Sequence, residues 1–218
     1  MRRLVCLMLS LMLAVSLCAC GEKTEAGKAY EDIPGLEDGI LTVGMECAYA
    51  PYNWMQMDES NGAVPIANNP GAYANGYDVM IAKKIADHYG VALEVMAVGW
   101  DGLNPALGEG SLDAVIAGQS MTAERMEEVT MAGPYFYADI VCVARKGTAQ
   151  ASDTGISPLT GTGTDDNFNA SEGDIKIGIS VKKGNTGLAD MMDAVLGNMT
   201  NDDFNNLMNQ AIAIQPEI

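Results

Sequence analysis

An α/β fold with a mainly parallel sheet is the architecture this sequence predicts, on three observations. Short apolar runs alternate with stretches of helical period between residues 40 and 118. Their order is strand, helix, strand, helix, strand, which right-handed crossovers turn into a layered sheet. At 48% hydrophobic residues, the 218-residue chain has enough apolar surface for a core.

Each element has its own signal. ILTVGMECA, residues 40–48, reads as a first strand. The aromatic-rich YAPYNWMQMDESNG follows as a loop, and AVPIANNPGAYANG reads as irregular because Pro, Asn and Gly dominate it. In residues 77–89, Val79, Ile81, Ala82, Ile85 and Ala86 fall on one stripe, which predicts an amphipathic helix ended by Gly90. VALEVMAV, residues 91–98, is a second strand. A helix then opens near Trp100-Asp101, with Asp101 as its cap, Leu103, Ala106 and Leu107 as its apolar face, and Pro105 early in it. LDAVIAG, residues 112–118, reads as a buried central strand, and ADIVCVARKG, residues 138–147, as another. Residues 148–174 are dominated by Thr, Gly, Ser, Asp and Asn without apolar periodicity, the composition of a linker. IKIGISVKKG, residues 175–184, resumes strand character. Two helices follow, the second capped by Thr200 or Asn201.

Charge and cysteine usage exclude several classes. The 29 acidic side chains outnumber 12 basic ones, giving a net charge of −17, and no basic patch suggests a nucleic-acid partner. His88 is the only histidine and reads as a solvated residue near a helix end, so a His-based zinc site or Ser-His-Asp triad within the chain is not expected. No cofactor is implied. Arg2 and Arg3 precede an apolar run from Leu4 to Leu17, too short to span a bilayer comfortably. The run has the form of a secretory signal; a buried N-terminal helix is the alternative. Its end, Leu17-Cys18-Ala19-Cys20, resembles a lipoprotein cleavage site that leaves Cys20 lipidated. Cys47 and Cys142 then remain, as buried thiols or as one disulfide.

Candidate site residues cluster around AGQSMTAERMEEV, residues 117–129. Ser120 and Thr122 follow a buried strand, so their hydroxyls and nearby amides can face an anion in the crevice at its carboxyl end. Arg125 can grip a carboxylate through two parallel hydrogen bonds. The ordinary alternative is a helix cap and a solvated arginine with Glu124, Glu127 and Glu128 as neighbours. Tyr49, Tyr52, Trp54 and Trp100 lie in or beside loops after strands, where they stack on a ligand or anchor the interior. Tyr135 and Tyr137 are expected to pack at the start of the next strand. Asp78, Asp101 and Asp113 form no matched catalytic pair.

YAPYNW, NGYDVMIAKKIADHYG, WDGLNPALGEGSLDAVIAGQSMTAERMEEVTMAGPYFYAD and VARKG together resemble the first lobe of bacterial extracellular solute-binding proteins, family 3. The terminal KKGNTGLADMMDAVLGNM and DDFNNLMNQAIA resemble that family's C-terminal helices. The resemblance implies a periplasmic-binding-protein-like (type II) lobe without catalysis. Its implied partners are a free polar amino acid, an ABC transporter permease and, through the N-terminal lipid, the extracytoplasmic face of the cell membrane. It implies Tyr49 and Trp100 against the ligand, with the backbone near Gly118, Ser120 and Arg125 on its carboxylate. Thr122 contributes through its backbone or as a cap. In that family a second lobe separates the outgoing and returning strands, where this chain has only the polar stretch. The expected division is therefore signal 1–19, tether 20–38, first-lobe α/β core 39–147, polar linker 148–174 in place of the second lobe, and returning strand with C-terminal helices 175–218. A single-lobe scaffold that contacts protein without trapping ligand is the alternative function. A lytic transglycosylase, which carries a related module, would need a catalytic domain beside it.

Overall fold

A computed structural model describes Tyr30 and residues 32–139 and 172–217. The expected signal, Cys20, Cys142, residues 140–147 of the expected strand and nearly all of the polar linker lie outside the described residues. The main sheet has five strands: β1 (Ile40–Met45), β6 (Ala92–Ala97), β7 (Ala114–Ser120), β8 (Thr130–Tyr137) and β9 (Lys176–Val181), in the order β6-β1-β7-β9-β8. A smaller sheet has the order β2-β3-β5-β4, formed by β2 (Ala48–Tyr49), β3 (Asn53–Gln56), β4 (Val64–Pro65) and β5 (Tyr73–Asn75). Helices α1 (Tyr77–Tyr89), α2 (Trp100–Glu109), α3 (Ala123–Glu128), α4 (Glu172–Ile175), α5 (Thr186–Leu196) and α6 (Asn201–Ile214) complete the lobe.

β1 runs parallel to both β6 and β7, as the alternating order predicts. β9 departs from the mainly parallel expectation. It inserts between β7 and β8 and is antiparallel to both. Apolar periodicity marks a buried strand but carries no information about the direction of its partners. Of the strand expected over 138–147, residues 138 and 139 are outside any strand, β8 ends at Tyr137, and the remainder lies outside the described residues. Residues 172–174, expected in the linker, begin α4. The small sheet lies where the sequence predicts loop and irregular chain, because its strands are two to four residues long, too short for alternation to show. Pro65 fits there because β4 is an edge strand.

The core lies between the main sheet and its helices. α1 buries all five predicted stripe residues, together with Tyr77 and Asp78. Leu103 and Leu107 of α2, and Leu188, Met191, Met192, Val195 and Leu196 of α5, are also buried. α2 departs from expectation at its start: Gly99 is the N-cap and Asp101 lies in the first turn. Pro105 consequently falls inside the helix, where its missing N–H deprives a carbonyl one turn back of its donor. His88 sits exposed in the last turn of α1, as predicted. Thr200 caps α6 in a reciprocal box: its hydroxyl accepts from the Asp203 amide, while the Asp203 carboxylate accepts from the Thr200 amide at 2.8 Å. Among the described residues, no helix is long and apolar enough to cross a membrane.

Candidate functional site

The carboxyl end of β7 gathers the predicted residues into one connected rim. Gly118 adopts φ +65°, a left-handed conformation that kinks the strand. A Cβ added at Gly118 would meet the Tyr49 ring at 3.1 Å, so the glycine lets that ring lie close over the backbone. The Gly118 amide points inward and donates to the Tyr135 hydroxyl at 3.0 Å. Its own N–H is therefore occupied, leaving a bare α-carbon beneath Tyr49.

Tyr49 is 48% exposed and stacks on Tyr52, with ring centroids 5.1 Å apart and an interplanar angle of 18°. Tyr52 in turn meets Phe136 and Tyr77 edge-on. The outer ring is thus backed by an aromatic cluster that costs little entropy to keep in place. Trp54 is an interior residue, buried in the small sheet. Burial and the nearby Asp78 carboxylate push the Tyr52 and Tyr77 hydroxyls well above the ordinary phenol range.

β7 ends at Ser120, and α3 starts after Thr122. The Thr122 hydroxyl accepts the Arg125 amide at 3.2 Å, which is the capping role. The Arg125 side chain donates back to the Ser120 carbonyl, closing the turn on itself. Its guanidinium lies 5.7 Å from the centroid of Trp100, within cation–π range. Trp100 is 41% exposed. Burial lowers the Arg125 pKa, outweighing the attraction of Glu128 and Glu124. The guanidinium stays charged regardless, and the group has five N–H donors, only one of which the Ser120 carbonyl takes. The rim therefore runs Tyr49, Gly118, Ser120, Arg125, Trp100, with β7 itself joining Gly118 to Ser120 and contacts joining the rest.

Beneath this rim lies an arrangement that sequence reasoning missed. The Asp78 carboxylate is fully buried and accepts from the Tyr135 hydroxyl at 2.7 Å and from the Asn53 side-chain amide at 2.8 Å. The Asn53 carbonyl oxygen accepts from the Cys47 amide at 2.8 Å. Burial drives the Asp78 pKa up to about 6 against the pull of its two donors. Cys47 is a buried free thiol pushed up to about 12, mainly by burial, and is therefore inert at neutral pH. Among the described residues, no group of three His, Cys, Asp or Glu side chains is placed to hold a metal ion.

The described residues form a lobe of the type II periplasmic-binding-protein kind. Residues 41–212 match the family model described as bacterial extracellular solute-binding proteins, family 3, and the chain belongs to that family. It is 25% identical over 127 residues to the octopine-binding periplasmic protein of Rhizobium meliloti, covering 58% of this chain and 37% of that one. It is 27% identical over 135 residues to the L-cystine-binding protein TcyJ of Escherichia coli, covering 61% of this chain and 46% of that one. The chain thus spans less than half the length of these two relatives. An amino acid ABC transporter substrate-binding protein from Streptococcus pneumoniae, bound to L-arginine, shares the fold at a TM-score of 0.61 and 19% identity. That match covers 87% of this chain and 98% of the other.

Proposed function

We propose that this chain is an amino-acid-binding lipoprotein of an ABC importer, working with a permease at the extracytoplasmic face of the membrane. The observation that carries this reading is the connected rim of Tyr49, Gly118, Ser120, Arg125 and Trp100 at the carboxyl end of β7. Family membership and relatives named for binding octopine and cystine support it. Arg125 holds the ligand α-carboxylate, assisted by Ser120 and the turn capped by Thr122. Tyr49 and Trp100 flank the ligand body over Gly118. The proposed organisation is signal 1–19, tether 20–38, first lobe 39–147, linker 148–174 where relatives carry a second lobe, and returning strand with C-terminal helices 175–218. With one lobe the ligand stays partly solvated, so its polar contacts gain less than in a closed trap.

Calorimetric titration against the amino acids tests the reading. Arg125→Ala loses a charge-assisted contact of about 1.5–3 kcal/mol, so affinity falls roughly 10- to 150-fold, toward the lower end because the site is open. Arg125→Lys keeps the charge without the fork and falls between. Wild-type binding that survives Arg125→Ala unchanged refutes the carboxylate role. A second reading, a single-lobe scaffold that binds no free amino acid, is favoured by the internal use of the Gly118 amide, the Thr122 hydroxyl and one Arg125 donor. Failure of every amino acid to bind selects it. The anchor is tested separately: Cys20→Ser abolishes incorporation of labelled fatty acid and membrane retention. Unchanged labelling removes Cys20 as the lipidated residue.

A further inference from the structure

A fully buried carboxylate is expensive for a lobe that could fill the same space with an apolar side chain, since buried charge seldom adds net stability. Asp78 therefore invites a role other than cohesion. Four hydrogen bonds converge on it in two arms. In one, the Cys47 amide donates to the Asn53 carbonyl oxygen, and the Asn53 amide nitrogen donates to Asp78 Oδ2. In the other, the Gly118 amide donates to the Tyr135 hydroxyl, and that hydroxyl donates to Asp78 Oδ1. Every proton in both arms points toward the carboxylate. An ionised carboxylate accepts on both oxygens and donates on neither, so it terminates both chains.

The far ends of the arms are the two backbone points that shape the rim. Cys47 has φ +56°, unfavourable for a residue with a side chain, and it directly precedes β2, which carries Tyr49. Gly118 has φ +65° and supports the Tyr49 ring from below. Asn53 and Tyr135 are both buried, so neither can exchange its partner for water. The orientation of the Asn53 amide follows from the carboxylate: its nitrogen must face Asp78, so its oxygen must face Cys47.

We propose that Asp78 is a positioning residue for the ligand rim, fixing the Cys47 bend that presents Tyr49 and the Gly118 kink beneath it through Asn53 and Tyr135. For its effect on affinity this rests on the amino-acid-binding reading; for its effect on geometry it does not.

Donor–acceptor parity gives a test that separates the arms. In Asp78→Asn, the new amide oxygen still accepts from Tyr135, but the new amide nitrogen faces that of Asn53. Asn53 must turn over, and the Cys47 amide loses its acceptor. Tyr135→Phe does the reverse, freeing the Gly118 amide while leaving the Cys47 arm intact. The exchange Asp78→Asn with Asn53→Asp restores every bond with the charge moved by one side chain. Amide chemical shifts and hydrogen exchange of the ligand-free protein read each arm. Asp78→Asn is expected to shift and deprotect Cys47 but not Gly118, and Tyr135→Phe to do so for Gly118 but not Cys47. The double exchange is expected to return both to wild type. If Asp78→Asn does not fold, Tyr135→Phe and the double exchange still decide. Single variants that leave both amides unchanged overturn the proposal. So do variants that loosen both equally with the rest of the sheet, or a double exchange that restores neither. Where the wild type binds an amino acid, each single variant weakens it roughly fivefold, the equivalent of one hydrogen bond, and the double exchange recovers it. Absence of wild-type binding defeats the binding reading alone, because the amide readout needs no ligand.

Discussion

Gly76→Ala lowers the unfolding free energy by about 3–5 kcal/mol, combining backbone strain with a backbone clash. Gly76 joins β5 to α1 at φ +124° and ψ 179°, a region open essentially to glycine alone. A Cβ there would stand 2.3 Å from the Tyr52 carbonyl oxygen and 2.9 Å from the Asn53 α-carbon. The loop cannot recede, because the Tyr77 and Asp78 amides are bonded to the Pro51 and Tyr52 carbonyls. Relief of the clash would also disturb Asn53 and the bonds that converge on Asp78. Against a total stability of about 5–15 kcal/mol, the loss is a large fraction. Urea denaturation of Gly76→Ala beside Gly99→Ala checks it. Gly99 caps α2 at φ −59° with open space around its α-carbon, so alanine is expected to cost far less there. Similar midpoints for the two variants would refute the argument.

Stability rises as pH is lowered from 7 to 5, and Asp78 supplies part of the slope. Its folded pKa of about 6 lies above the ordinary 3.8, so the folded lobe binds this proton more tightly than the unfolded chain. The stabilisation from the proton is fully present below the unfolded value and is lost as pH rises through the folded one. A difference of about two units corresponds to about 3 kcal/mol over the whole range, and about 1 kcal/mol between pH 7 and pH 5. Asp113 is also raised to about 6, by burial and by Asp38 and Glu37, and adds in the same direction with more screening by solvent. Asp58, Glu172 and Asp203 are lowered by hydrogen bonds, so their contributions are lost only at more acidic pH. The Tyr52, Tyr77, Tyr135 and Cys47 groups around Asp78 are all raised and stay protonated throughout. Urea midpoints at pH 5 and 7 are expected to differ less in Asp78→Asn than in wild type. Equal differences in both would remove Asp78 as a contributor.

Long elements with one buried face were legible in the sequence. The stripe from Val79 to Ala86 specified α1 and its buried side, and the apolar run at 112–118 placed β7 centrally. The small sheet was not legible, since strands as short as Ala48–Tyr49 show no period. Nor was the antiparallel insertion of β9, because partner direction is set by topology. Ser120, Thr122 and Arg125 are marked by the place where one strand ends and a helix begins, Tyr49 and Trp100 by loops after strands, and Gly118 only by the family resemblance. In the sequence Asp78 is one acid without a second carboxylate to form a matched pair. Its partners are an amide 25 residues before it and a phenol 57 residues after it, and no local pattern links them. The inward turn of the Gly118 amide was hidden for the same reason.

The pairing of Tyr137 with Lys176, and of the Ala138 amide with the Ile175 carbonyl at 2.8 Å, holds the outgoing end of β8 and the incoming start of β9 side by side. Whatever lies between those points, the two strand ends impose the same short span upon it. Loop-closure entropy changes by only about 0.6 kcal/mol for each doubling of an intervening flexible segment. The junction thus behaves as a socket: connecting segments of different length cost little entropy there while the sheet that receives them keeps its register.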